Sequence, residues 1–159
     1  MNERGSAIPP CNIFVAKDGK WYHEGAEIIH RPLFLWMIQN MEKTEDGLYI
    51  VHLNNQKCYL EVEDTPLVVT QVDFKPDESG DGEEVWLTLN DESQEVLDPE
   101  TLRISPENIF YCTVKKGVFP ARFLRPAYYQ MAEKIEEGED GFCLVLKNRK
   151  YPLRLSEGS

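Results

Sequence analysis

The sequence predicts an α+β protein, mostly β, made of two repeated hairpin–helix–hairpin units with antiparallel sheets. Three observations predict it. Residues 31–54, RPLFLWMIQNMEKTEDGLYIVHLN, recur without a gap 94 positions downstream as RPAYYQMAEKIEEGEDGFCLVLKN, and nine of the 24 aligned pairs are identical. Each copy opens on Arg-Pro and continues with apolar residues at helical spacing. Each then passes through Glu-Asp-Gly into two apolar runs separated by a turn, which sets a helix beside antiparallel strands.

The elements follow in order. Residues 1–12 carry Gly5, Pro9 and Pro10 without periodicity and read as a loose arm. Apolar runs at 13–16 and 21–23 flank Lys17-Asp18-Gly19-Lys20, and Asp-Gly in that setting signals a hairpin with a type I′ turn. Gly25 marks a second turn. Pro32 suits the first helical turn, where its missing N–H is not needed. The stripe Leu33, Phe34, Met37, Ile38, Met41 then predicts a helix to Lys43, and Leu35 and Trp36 broaden it, so that more than one side should be covered. Runs at 48–53 and 58–62 form the following hairpin. Strand-like runs at 67–74 and 84–89 are an insertion, joined by an acidic loop with Gly80 and Gly82 that reads as mobile. Residues 90–99 turn back with a short strand at 95–97, and 98–107 connect the halves. A hairpin at 109–114 and 118–122, around Lys115-Lys116-Gly117, precedes the second helix at 126–137. That helix has Ala127, Tyr128, Met131, Ala132 and Ile135 on one face, and runs at 142–147 and 151–155 close the unit. The organisation expected is an arm (1–12), a first unit with its inserted hairpin (13–98) and a second unit (99–159), packed as one compact protein.

Composition narrows the function classes. The chain has 159 residues, 42% hydrophobic and 28% charged, which suits a globular core without staples. No apolar run approaches a membrane span, and the first residues are too polar for a signal peptide, so a cytoplasmic protein is expected. The net charge of −11 argues against nucleic acid, which needs a positive field. The charge is uneven, net −14 over residues 1–101 and +3 over 102–159. Basic residues in the second half alternate with aromatic ones, a pattern better suited to an acidic protein or ligand than to a nucleic-acid strip once the acidity is weighed. Cys11, Cys58, Cys112 and Cys143 form no C-x-x-C pair and match no metal spacing, and the last three lie in apolar runs, so reduced, buried cysteines are expected. The three histidines match no metal spacing either, and no cofactor motif occurs.

DGKWYHEGAEIIHRP at 18–32, LEVEDTPLVV at 60–69, LTLN at 87–90 and VKKG…AR within 114–122 resemble the bacterial family catalogued as domain of unknown function 1285 (DUF1285). The resemblance covers most of residues 12–155. It implies a two-repeat α+β protein without an assigned activity and with a role in signalling or regulation. It supplies no catalytic residues. The chain departs from the family pattern at His52–Lys57, after the first helix.

The candidate site residues are Trp21, His23, Arg31, Glu63, Asp64, Arg122 and Arg125, with no catalytic or metal-binding set among them. Trp21, Tyr22, His23, Glu24, Gly25 and Arg31 cluster in sequence. There His23 and Arg31 could meet a polar or anionic ligand beside an aromatic wall. Arg31 and Arg125 each open a helix, whose free N–H groups favour anions, and an arginine fork suits carboxylate or phosphate. Pairing with Glu63 or Asp64 is the structural use of Arg31. Glu61 and Glu63 share a strand face, but Asp64-Thr65-Pro66 also makes a good turn. The reading is a non-enzymatic regulatory or signalling module that binds a small anionic ligand or a protein partner, with the cleft between two copies of one unit as the place to look. A homodimer would cover exposed sheet edges. The alternative is a small hydrolase or lyase using carboxylates and His23.

Overall fold

The computed structural model describes residues 8–147 and 149–156, so the arm expected at 1–12 lies outside the described residues up to Ala7. Contacts group the chain into two compact units, Met1–Pro66 and Leu67–Ser159.

The first unit holds β1 (Pro10–Val15), β2 (Trp21–His23), β3 (Ala26–Glu27), α1 (Arg31–Gln39), β4 (Glu42–Lys43), β5 (Tyr49–Leu53) and β6 (Gln56–Val62). They form one sheet in the order β3-β2-β1-β6-β5-β4. The expectation of antiparallel sheets is corrected here, because β1 pairs with β6 in parallel. The second unit holds β7 (Leu67–Pro76), β8 (Glu83–Leu89), β9 (Gln94–Val96), a 3-10 turn (Pro99–Thr101), β10 (Arg103–Ile104), β11 (Phe110–Val114) and β12 (Phe119–Phe123). It continues with α2 (Arg125–Ala132), β13 (Ile135–Gly138), β14 (Gly141–Leu146), β15 (Arg149–Pro152) and β16 (Arg154–Leu155). Its larger sheet runs β16-β10-β11-β12-β7-β8-β9, with β12–β7 and β10–β16 parallel. The other sheet is the antiparallel meander β13-β14-β15. The protein is therefore α+β and mostly β, with two mixed sheets and one antiparallel sheet. Parallel neighbours cannot be joined by a tight turn, so they leave no local signal.

Turn chemistry explains the hairpins. Asn54 and Asn55 both take positive φ (55° and 62°), the type I′ geometry that joins β5 to β6. The β1–β2 hairpin is built otherwise than expected. In its loop, residues 16–20, only Gly19 is left-handed (φ 90°), and the Gly19 N–H donates to the Ala16 carbonyl. Strand β1 also starts at Pro10, earlier than the apolar run implies. The acidic loop between β7 and β8 is ordered around one carboxylate. Asp77 Oδ1 accepts from Ser79 Oγ (2.6 Å) and from the N–H groups of Gly80 (3.1 Å) and Gly82 (3.2 Å). The Ser79 hydroxyl, joined by backbone donors, holds the Asp77 carboxyl below its ordinary range. A Cβ at position 82 would run into that carboxylate.

Both helices are shorter than their stripes. His30 caps α1, its Nδ1 accepting from the Leu33 N–H (3.2 Å). Phe34, Met37 and Ile38 face inward, and Trp21 meets Phe34 edge-on at 5.5 Å. The helix stops because the Asn40 side-chain amide and backbone N–H turn back onto the carbonyls of Trp36 (2.7 Å) and Met37 (3.2 Å). Met41 is buried without being helical. Trp36 and Leu33 remain 51% and 41% exposed, so α1 is covered on one side rather than several. In α2, Ala127 and Met131 are buried, and Ile135 leaves the helix for β13. The Val145 N–H bonds the Lys134 carbonyl (2.8 Å) and draws the chain into the meander.

Gln130 aligns with Trp36 in the sequence repeat and has a different use. Its Oε1 accepts from the Val72 backbone N–H at 2.7 Å, beside the register shift in β7. Removing this acceptor leaves a part-buried N–H unmet, a penalty of about 1–3 kcal/mol. Gln130→Ala is accordingly expected to lower the urea midpoint of the second unit without changing the slope of the transition.

Candidate functional site

An open cavity lies in the first unit. It has a volume of about 440 Å³ and is lined by Asn12, Phe14, Tyr22, Glu24, Gly25 and Glu61. That volume falls in the range of small-ligand sites.

Strand alternation builds this face. Along β1 the pattern is outward at Pro10, Asn12 and Phe14 and inward at Cys11, Ile13 and Val15. Phe14 lies opposite Tyr22 of β2 and opposite Glu61 of β6. It therefore stands between a phenol and a carboxylate, and is 41% exposed despite being aromatic.

Three left-handed residues, Asn12, Glu24 and Gly25, shape the rim. From Pro10 to Phe14 the chain advances four positions on β1, but the partners on β6 advance only from Tyr59 to Glu61. The excess is taken up in a bulge where Asn12 has φ 62°. The Asn12 carbonyl accepts from the Glu24 N–H (3.0 Å). Glu24 (φ 49°) and Gly25 (φ 89°) make the tight β2–β3 turn. Glutamate is a poor choice for a left-handed position that Asn or Gly fills at lower cost.

Behind the bulge, on the buried side, Cys11 and Cys58 form a disulfide with Cα atoms 4.9 Å apart. This corrects the expectation of reduced cysteines. Nothing in their spacing shows that β1 and β6 are neighbours. Cys112 and Cys143 are free, and burial pushes the Cys112 thiol well above its ordinary range.

Of the expected site residues, Trp21 is a core residue, 1% exposed, with its Nε1 lacking a hydrogen-bond partner. His23 is at the open end of β2, its Nε2 4.0 Å from Glu24 Oε2, too far for a hydrogen bond. Arg31 lies over the Phe34 ring at 5.3 Å and has further interactions of its own. Glu63 Oε1 accepts from the Lys17 backbone N–H (2.9 Å), which ties the end of β6 to the β1–β2 loop. Asp64 and Arg122 are likewise engaged by neighbours, and Arg122 stands opposite Tyr111 between β12 and β11. Arg125 is exposed at the first residue of α2. The cavity instead brings together Tyr22, Glu24, Gly25 and Glu61, which the sequence singles out, with Asn12 and Phe14, which it does not. Alternation along Ile13–Val15 sets Phe14 outward between two buried neighbours, and this phase is the sequence signal for it.

A second cavity, about 350 Å³, lies in the second unit between Pro99, Glu100, Tyr151, Pro152, Leu153 and Arg154. Among the described residues no group of three or more His, Cys, Asp or Glu could hold a metal ion. Among the same residues no helix is long and apolar enough to cross a membrane.

The fold and this face define a mostly β, mixed-sheet α+β protein with an open aromatic and acidic cavity. Its fold is that of DUF1285 family proteins. It is similar to the crystal structure of a DUF1285 family protein from Silicibacter pomeroyi DSS-3, with a TM-score of 0.73 and 19% identity over 93% of this chain and 84% of that one. It is also similar to a DUF1285 family protein from Shewanella baltica OS155, with a TM-score of 0.59 and 17% identity over 78% of this chain and 91% of that one. No family model and no curated protein matches the chain.

Proposed function

We propose that the protein is a DUF1285 family member that acts as a non-enzymatic binding module, taking a small molecule or a segment of a protein partner in a regulatory role. The observation that carries this reading is the open cavity on the outer face of the first sheet, where Phe14 and Tyr22 stand side by side and partly exposed. An exposed aromatic wall contributes contact area to binding, whereas general acid–base chemistry needs ionisable groups converging on an enclosed substrate. The duplication belongs to the same reading. Helices starting at Arg31 and Arg125, each followed by short strands at matching spacing, support descent from one unit. The use of Trp36 and Gln130 supports divergence between the copies.

The test is a thermal-shift screen of the intact chain against nucleotides, acyl compounds, organic acids and amines, run beside a pull-down. At least one compound or partner is expected to stabilise the fold in a concentration-dependent way, by about 2.7 kcal/mol at a hundredfold excess over Kd. No stabilising ligand and no partner would remove the support for the proposal.

A further inference from the structure

We propose that the cavity on β1, β2 and β6 selects organic cations, an alkylammonium or guanidinium head, rather than the anionic ligand that the arginines suggest. This deepens the binding-module reading and rests on it. The lining has two carboxylates, Glu24 and Glu61, and two aromatic rings, Phe14 and Tyr22. Among the described residues no lysine or arginine contributes to it. Carboxylates repel an anion, whereas ring faces and carboxylates both attract a cation. Glu61 and Tyr22 flank Phe14 on its two neighbouring strands, so a cation seated over that ring has a carboxylate on one side and a second aromatic on the other. Tyr22 is in turn opposite Glu27 of β3, which adds negative charge at the same edge.

The backbone bears on the same side chain, although Glu92, Lys115, Lys116 and Lys147 are left-handed as well. Glu24 holds a left-handed conformation in a tight turn where asparagine would fit with less strain. Strained residues collect at functional sites. The carbonyl of Asn12, the other left-handed non-glycine residue on this rim, accepts the Glu24 N–H and so anchors the Glu24 backbone beside the cavity. The strain has a use if the Glu24 side chain is what the cavity requires.

The experiment titrates the intact protein with N-acetyl-arginine amide and N-acetyl-lysine amide, following the Phe14 and Tyr22 ring resonances by NMR. The neutral citrulline analogue and the anionic glutamate analogue serve as matched comparators. The cations are expected to give saturable shifts at these rings that weaken as salt is raised. The citrulline analogue is expected to bind about tenfold more weakly, as is the cation to the Glu24→Gln/Glu61→Gln double variant, given what exposed ion pairs and ring–cation contacts contribute. Glu24→Asn keeps the turn, and is expected to raise the melting temperature while weakening the cation. Equal or tighter binding of the citrulline or glutamate analogue would overturn cation selection and leave the binding-module reading standing. Ring resonances indifferent to every probe would overturn the cation site, while the binding-module reading falls only if the wider screen and pull-down also find nothing. A lower melting temperature for Glu24→Asn would remove the argument from strain.

Discussion

Reduction of the Cys11–Cys58 disulfide is expected to destabilise the first unit by about 4 kcal/mol, from the chain entropy of opening a loop of this length. The bond joins β1 to β6 across a sequence separation of 47. These strands are parallel neighbours at the middle of the sheet, and no turn connects them directly. The bond therefore holds together two strands that the chain itself joins only by the long path through β2, β3, α1, β4 and β5. A loss of this size is a large fraction of the stability of a small domain. The measurement is urea unfolding with and without a phosphine reductant, followed by the tryptophan fluorescence of Trp21, Trp36 and Trp86 together. Cys11→Ala/Cys58→Ala is expected to reproduce the reduced midpoint, and an unchanged midpoint would show that the bond constrains nothing. The bond also bears on location. Disulfides persist in oxidising compartments and are reduced in the cytosol. Trapping thiols in intact cells therefore distinguishes the cytoplasmic expectation from an oxidising one.

Replacing Asp91 by alanine is expected to cost the second unit about 3 kcal/mol, the lower end of what breaking a buried ion pair costs. Asp91 is 3% exposed, and its Oδ2 lies 2.7 Å from Lys115 Nζ. Its Oδ1 accepts from Ser93 Oγ (2.6 Å) and from the Ser93 N–H (2.9 Å). Lys115 also donates to Ser93 Oγ (2.8 Å), while the Glu95 carboxylate accepts its backbone N–H (3.1 Å). This network ties the β8–β9 turn to the β11–β12 turn, where Lys115 itself is left-handed (φ 58°). The Lys115 side chain is one-third exposed, so water relieves part of the loss. Burial pushes the Asp91 carboxyl up. The hydrogen bonds from Lys115 and Ser93 and the lysine charge outweigh it, and the net direction is downward from the ordinary 3.8. A carboxyl lowered in the folded state stabilises the fold above its unfolded value and loses that contribution as pH falls through the folded value. The second unit is therefore expected to lose stability below about pH 4, with a shallower acid limb in Asp91→Asn. Acid unfolding curves that coincide for the two proteins would contradict this.

Local features were legible in the sequence, and long-range ones were not. Asn54-Asn55 and Lys115-Lys116-Gly117 announced hairpins because positive φ has few hosts, and the structure has left-handed residues at both. Arg-Pro marked both helix starts. Both helices end before their apolar spacing does, at Gln39 and Ala132, for one reason. Met41 and Ile135 continue the helical spacing, but they are buried or half-buried in chain that has already turned toward a strand. Periodicity reports which residues face inward, and here it did not separate a last helical turn from the strand that follows. Parallel pairings such as β1–β6 involve residues far apart in sequence, so neither the mixed sheets nor the disulfide could be read locally. The cavity was half legible. Tyr22, Glu24 and Glu61 drew notice for their chemistry, but joining them required the register that sets Phe14 between Tyr22 and Glu61.

Hydrogen–deuterium exchange of the intact chain, with and without a ligand that raises its melting temperature, tests the central claim most directly. The account predicts added protection at residues 10–25 and 58–62, on the strands that line the cavity, with the ligand recovered unchanged. Protection confined to Leu67–Ser159, or conversion of the ligand to a product, would contradict it.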